Sequence, residues 1–271
     1  MSATLTVTPE ATAPAARPAR EVPARIPFTR VLQVELIKMF DTRSGFWLMV
    51  GIAASAIIAT GAVIAFAPDD QIVYDNFGAA IGVPMVFLLP VMAILSVTSE
   101  WSQRSGLTTF TLVPHRGKVL GAKFIAALVV GLVAMLIALV VGTLGTLVGS
   151  AITGLDPVWN VSVDGFLSFT LGSVLGMMFG FTLGVLIRNS AGAIVAYFVY
   201  TLVLPPLLGL LAMSQDWFAD LQPWVDYNLA QMALFEGGLS SEQWQQVAVS
   251  GTIWFLIPLV VGLVIVRRAE V

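Results

Sequence analysis

Cysteine is absent from the 271 residues, histidine occurs once, and only 11% of the side chains are charged. Without a thiol there is no disulfide framework, no thiolate metal site and no cysteine nucleophile. The single histidine, His115, cannot supply the several ligands a metal site needs, and it reads as a polar surface residue. The charged fraction is less than half of the ~25% usual in a soluble domain. Apolar residues take the place of the missing charge: 58% of the chain is hydrophobic and its mean hydropathy is +0.91. A formal net charge of −3 gives no reason to expect a nucleic-acid partner. These values describe an integral membrane protein.

Six apolar runs are long enough to cross a bilayer, which takes about 20 residues. They lie at about 46–67, 77–98, 124–148, 166–187, 192–213 and 247–266, and none contains Asp, Glu, Lys, Arg or His. That absence argues against hydrolysis within the membrane, for want of a base or metal ligand. It also argues against ion-coupled secondary transport, which ordinarily keeps an ionisable residue at membrane depth. The first run follows a charged stretch of 45 residues, unlike the short basic lead of a secretory signal. The expected fold is all-α: six transmembrane helices preceded by an amphipathic interfacial helix.

Bases are missing from three of the connectors. Every Lys and Arg lies in the N-terminal stretch (Arg17, Arg20, Arg25, Arg30, Lys38, Arg43), the 99–123 connector (Arg104, Arg116, Lys118, Lys123), at Arg188, or at Arg267 and Arg268. The other connectors hold Asp69, Asp70, Asp75, Asp156, Asp164, Asp216, Asp220, Asp226, Glu236 and Glu242 without one base. With six spans, the positive-inside rule places both termini and the basic connectors in the cytoplasm, as expected of a multi-pass plasma-membrane protein.

Residues 1–27, rich in Ala and Pro, read as a disordered lead, and 28–271 as one six-span domain. From Phe28 an apolar stripe of Phe28, Val31, Leu32, Leu36, Met39 and Phe40 recurs at helical spacing. Arg30, Glu35, Lys38, Asp41 and Arg43 are read as lying largely off that stripe. Such a helix can lie in the interface plane, with its cations near the headgroups. It serves either as a surface anchor or as a contact for a partner, with Ser44 and Gly45 bending the chain into the first span.

The connector "SEWSQRSGLTTFTLVPHRGKVLGAK" gathers a carboxylate, four cations and the histidine. Ser99 reads as an N-cap and Glu100 suits the positive end of a new helix, with Arg104 at i+4 in the favourable order. Pro114 should stop that helix, His115 to Gly117 should form a turn, and the next helix should begin near Lys118. The segment is either a stiff rod that docks a soluble partner or a solvated loop beside anionic headgroups.

Taken together, these residues make the chain resemble the permease subunits of ATP-binding-cassette transporters, of the type-two exporter class. Those proteins carry an amphipathic helix before span one. After span two they show a glutamate, a Gly-containing stretch, Pro and then Arg, and a Lys that opens span three. The matching positions here are Glu100, Gly106, Pro114, Arg116 and Lys123, with Arg104 beside them. The departures are Leu107, where Thr is common, and His115, where a small residue is usual. The resemblance implies that this connector is a coupling helix seated on a separate ATPase subunit, which binds ATP and Mg. It also implies that two permease copies or paralogues pair in the bilayer, and that export is the direction. The interfacial helix would then include Phe28, Leu32, Glu35, Lys38 and Arg43. No G-x-x-x-x-G-K-[ST] occurs in the chain, so it is expected to be neither the ATPase nor an enzyme, and to hold no cofactor or metal of its own. Uncharged spans suggest an apolar or amphipathic passenger. The alternative is a non-transporting six-span scaffold or immunity-type protein.

Three further features stand out. Gly172, Gly176, Gly180 and Gly184 recur every four residues in span four, a face that lets a neighbouring helix come close, either within the chain or from another subunit. Pro84, Pro90, Pro205 and Pro206 should kink spans two and five, framing a gate or simply packing. The connector 214–246, with Trp217, Phe218, Leu221, Trp224 and Tyr227 among its acids, should form a short interfacial helix, acting as a lid or an exit gate.

Overall fold

The computed structural model describes residues 26–102 and 116–268. Helix α1 (Phe28–Asp41) turns at Thr42 into α2 (Arg43–Phe66). The Thr42 hydroxyl accepts the Gly45 N–H at 3.2 Å, capping α2. Gly45 is buried at that corner, and a Cβ there would collide with the Met39 carbonyl oxygen.

Four more spans follow: α3 (Tyr74–Ser102), α4 (Arg116–Thr153), α5 (Val163–Ile187), and the pair α6 (Ser190–Phe198) and α7 (Leu204–Ser214). Two short helices, α8 (Asp216–Val225) and α9 (Tyr227–Glu236), lead to the sixth span, α10 (Ser241–Gly251) and α11 (Ile257–Arg268). Among the described residues, six helices are thus long and apolar enough to cross a membrane. The connector expected to hold one short helix holds two, and the last span begins earlier than its apolar run, because the capping box of Ser240 and Gln243 starts the helix in polar sequence.

Several prolines have a local consequence. Residues Val199–Val203 and Thr252–Leu256 form π turns, just before Pro205–Pro206 and Pro258. A proline lacks the N–H for the carbonyl four residues back and its ring crowds that carbonyl, so the preceding turn widens. In α3, Pro90 leaves the Val86 carbonyl free, and the Tyr197 hydroxyl donates to it at 2.7 Å.

The core runs along α5 and α3, where Ile81, Met85, Leu89, Met177 and Phe181 interlock with Met135 of α4. The glycine face of α5 is covered within the chain. A Cβ on Gly180 would lie 2.7 Å from the Pro90 carbonyl oxygen and one on Gly184 3.2 Å from that of Ile94, whereas Gly172 and Gly176 face Leu234, Phe235 and Gln231 of α9.

One expectation is overturned here. Ser99 and Glu100 do not open a new helix, since α3 runs unbroken to Ser102. The hydroxyls of Ser96 and Thr98 bond back to the Ala93 and Ile94 carbonyls instead of capping, and no Gly or Pro interrupts this turn. Arg116 and Gly117, expected in a turn, are likewise already helical in α4.

Candidate functional site

A carboxylate can be taken out of water only when its charge is answered, and two are buried together here. Glu35 is 4% exposed and Glu100 8%. Glu35 lies on α1 between Val31 and Met39, each four residues away and both buried, so all three share one face. That face docks against α4, where Val119 and Ala122 pack on Val31.

Lys123 meets Glu35 from two turns inside α4. Its Nζ donates to Glu35 Oε2 at 2.7 Å, lies 3.2 Å from Glu100 Oε1, and donates to the Ser96 carbonyl oxygen at 2.9 Å. Lys38, three residues beyond Glu35, donates to Glu35 Oε1 at 2.8 Å and to Glu100 Oε1 at 2.9 Å. Two cations thus answer two anions, and the buried group is neutral. Lys38 stays half-exposed. Its burial alone would lower its pKa, but hydrogen bonds and attraction from Glu35 and Glu100 outweigh this and hold it above the usual lysine value.

A cavity of about 380 Å³ adjoins the cluster, walled by Thr42, Ser44 and Leu48 at the α1–α2 corner and by Met92 and Leu95 of α3. At the same end of the bundle, the Arg188 guanidinium lies 5.7 Å from the centre of the Trp101 ring, and Thr98 and Ser190 share a hydrogen bond of 2.8 Å.

The cluster joins three pieces of chain. Glu100 lies in the last turn of α3 and Lys123 in the early turns of α4, so together they form the two roots of the 103–115 segment. Glu35 and Lys38 tie α1 to both roots. Of the residues singled out in the connector, Arg104, Gly106, Pro114 and His115 lie outside the described residues, and Arg116 is seen as the first residue of α4. The Glu100 carboxylate is engaged by Lys38 and Lys123, neither of which is a local neighbour in the sequence.

On α1, Leu32 packs inward whereas Phe28 is exposed, and Arg43, the first residue of α2, is exposed too. Glu35 corrects the expectation that it lies off the apolar stripe. The i±4 relation to Val31 and Met39 was readable in the sequence, but the charge of the side chain masked it. The outward face of α1 is also apolar, with Val34, Ile37 and Phe40 exposed.

Among the described residues, no three His, Asp or Glu side chains converge as metal ligands would. No protein-family model matches the chain, and no curated protein matches it.

Proposed function

We propose that this chain is the membrane-spanning permease subunit of an ATP-binding-cassette exporter of the type-two class. In this reading a separate ATPase subunit holds ATP and Mg and seats on the 103–115 segment. Two permease chains pair in the plasma membrane, and the passenger is apolar or amphipathic. The termini and the basic end face the cytoplasm, where the excess of Lys and Arg belongs. Helix α1 lies in the cytoplasmic interface, its exposed Val34, Ile37 and Phe40 against lipid.

The observation that carries this reading is the buried four-residue cluster. A subunit that cannot hydrolyse ATP must receive its energy as displacement. A segment rooted in Glu100 and Lys123 can hand a push to α3 and α4 and, through Glu35 and Lys38, to α1. A tightly packed contact of this kind transmits small shifts rather than absorbing them.

The test is purification in mild detergent, identification of any bound ATPase, and measurement of its hydrolysis with and without the chain. Co-purification of an ATPase with two copies of the chain, with Glu100→Gln lowering stimulation while the protein still folds, is the expected result. A chain that functions alone with no ATPase attached would replace this reading with a non-transporting six-span scaffold or immunity-type protein.

A further inference from the structure

The end of the bundle remote from the ion cluster contains a second cavity, of about 500 Å³, within the roughly 300–1,000 Å³ typical of small-molecule sites. It opens between α3, α4, α5 and the end of α9, inside a single chain. Its inner wall is apolar: Met135 and Leu139 come from α4, and Phe169 from α5 meets Phe235 from α9 edge-to-face, 5.3 Å between ring centres and 66° between planes. Its outer wall is polar, with Asp75 in the first turn of α3 and Glu236 at the end of α9.

Several features hold that rim open. Asn160 Oδ1 accepts the Asp75 N–H at 2.9 Å, fixing the 154–162 connector against α3. Gly237 and Gly238, with φ of 73° and 66°, turn the chain away where a side chain would be strained. Among the residues lining the cavity there is no Lys, Arg or His, and the connectors at this end contain no base.

We infer that this cavity binds a lipophilic organic cation, with its apolar groups against Phe169, Phe235 and Met135 and its charge facing Asp75 and Glu236 at the rim. The carboxylates attract the charge, the aromatic wall takes the apolar groups, and the acidic surroundings repel anions of the same shape. The site stands apart from the ATP-driven reading, because it lies within one chain and its binding requires no ATPase.

The test uses the full chain in phosphatidylcholine nanodiscs and two probes of the same shape and opposite charge, tetraphenylphosphonium and tetraphenylborate, with empty discs as the blank. The chain should bind the phosphonium saturably and the borate not at all. Asp75→Asn with Glu236→Gln, both exposed and outside the core, should weaken phosphonium binding about tenfold, the sum of two solvent-screened charge interactions. Gly78→Leu, where a Cβ would have an ordinary contact of 3.9 Å to Tyr74, should fill the cavity and abolish saturable binding. Thermal unfolding of both variants should match that of the parent chain. Weaker phosphonium binding in both folded variants, with no borate binding, sustains the inference; any other pattern overturns it.

Discussion

At the basic end of the bundle, Glu35 and Glu100 are buried and each is met by ammonium groups; at the opposite end, nine of the ten carboxylates are exposed. The tenth, Asp226, is 3% exposed and has no cation beside it among the described ion pairs. It accepts instead from the Gln222 amide at 3.0 Å and from the Asn228 and Leu229 N–H groups at 3.0 and 3.2 Å, as the cap of α9. One end therefore buries charge by pairing it between distant segments, and the other by handing it to the N-terminus of a local helix. A cap holds one helix in place. An ion cluster spanning residues 35 to 123 holds three pieces of chain relative to one another, which is what a relay requires.

The broadest way to break this comparison is to show that the two ends do not face opposite compartments, and its effect is all or none. A reporter active only in the cytoplasm should work when fused after Val271 or within 100–122, and stay silent at Asp70, Asp156 or Glu236. A reversal at any one site would mean that a span is miscounted and that the basic end is not cytoplasmic.

The next largest effect belongs to the cluster. Lys123→Met removes the cation that bonds Glu35 Oε2 and leaves buried negative charge under-compensated, which should cost about 3–5 kcal/mol, read as lost folded protein in detergent or early thermal unfolding. Pairing it with Glu35→Leu leaves Lys38 with Glu100 as a neutral couple and should recover much of that loss. If the single variant is as stable as the parent, the cluster does not hold these segments together.

The six spans were readable because each is a long uncharged run, and hydropathy needs no knowledge of neighbours. The cluster is not readable in that way, although each of its four residues stands out in the sequence. Local spacing proposed Glu100 with Arg104, four residues apart, and set Glu35 on the solvent side of α1. Glu35 and Lys38 are local neighbours, but the bonds that close the cluster span 62 residues for Lys38 with Glu100 and 88 for Lys123 with Glu35, and only the fold makes them. The π turns before Pro206 and Pro258 escaped for a related reason: a proline announces a disturbed turn, but whether the helix kinks or widens depends on what packs beside it.

At the opposite end, Asp226→Ala should cost about 1–2 kcal/mol, the usual price of a lost N-cap, with part of the loss coming from the stranded Gln222 amide. Asp226→Asn, which keeps an acceptor oxygen, should be mild. The comparison sharpens if the alanine variant is milder than Lys123→Met and disturbs only α9, seen as faster hydrogen exchange over 227–236. If instead exchange rises across the whole bundle, Asp226 is more than a local cap.

The smallest effect separates the two lysines of the cluster. Lys38 is half-exposed and solvent screens it, so Lys38→Met should cost ~1 kcal/mol or less, while Lys123 still bonds both carboxylates. Its contribution should have a definite pH dependence. The folded-state pKa of Lys38 lies above the ordinary value of 10.5, so the stabilisation is fully present below 10.5 and is lost as pH rises through the folded value. The groups facing it are Glu35 and Glu100, whose charges hold the proton, and Lys123 across the cluster. Thermal unfolding of the parent and of Lys38→Met should therefore differ by a constant, small amount from neutral pH up to about 10.5, and converge in stronger alkali. Comparing the two chains at each pH cancels the titration of the lysines outside the cluster. A gap that stays constant through alkaline pH would mean that the charge of Lys38 does not stabilise the fold.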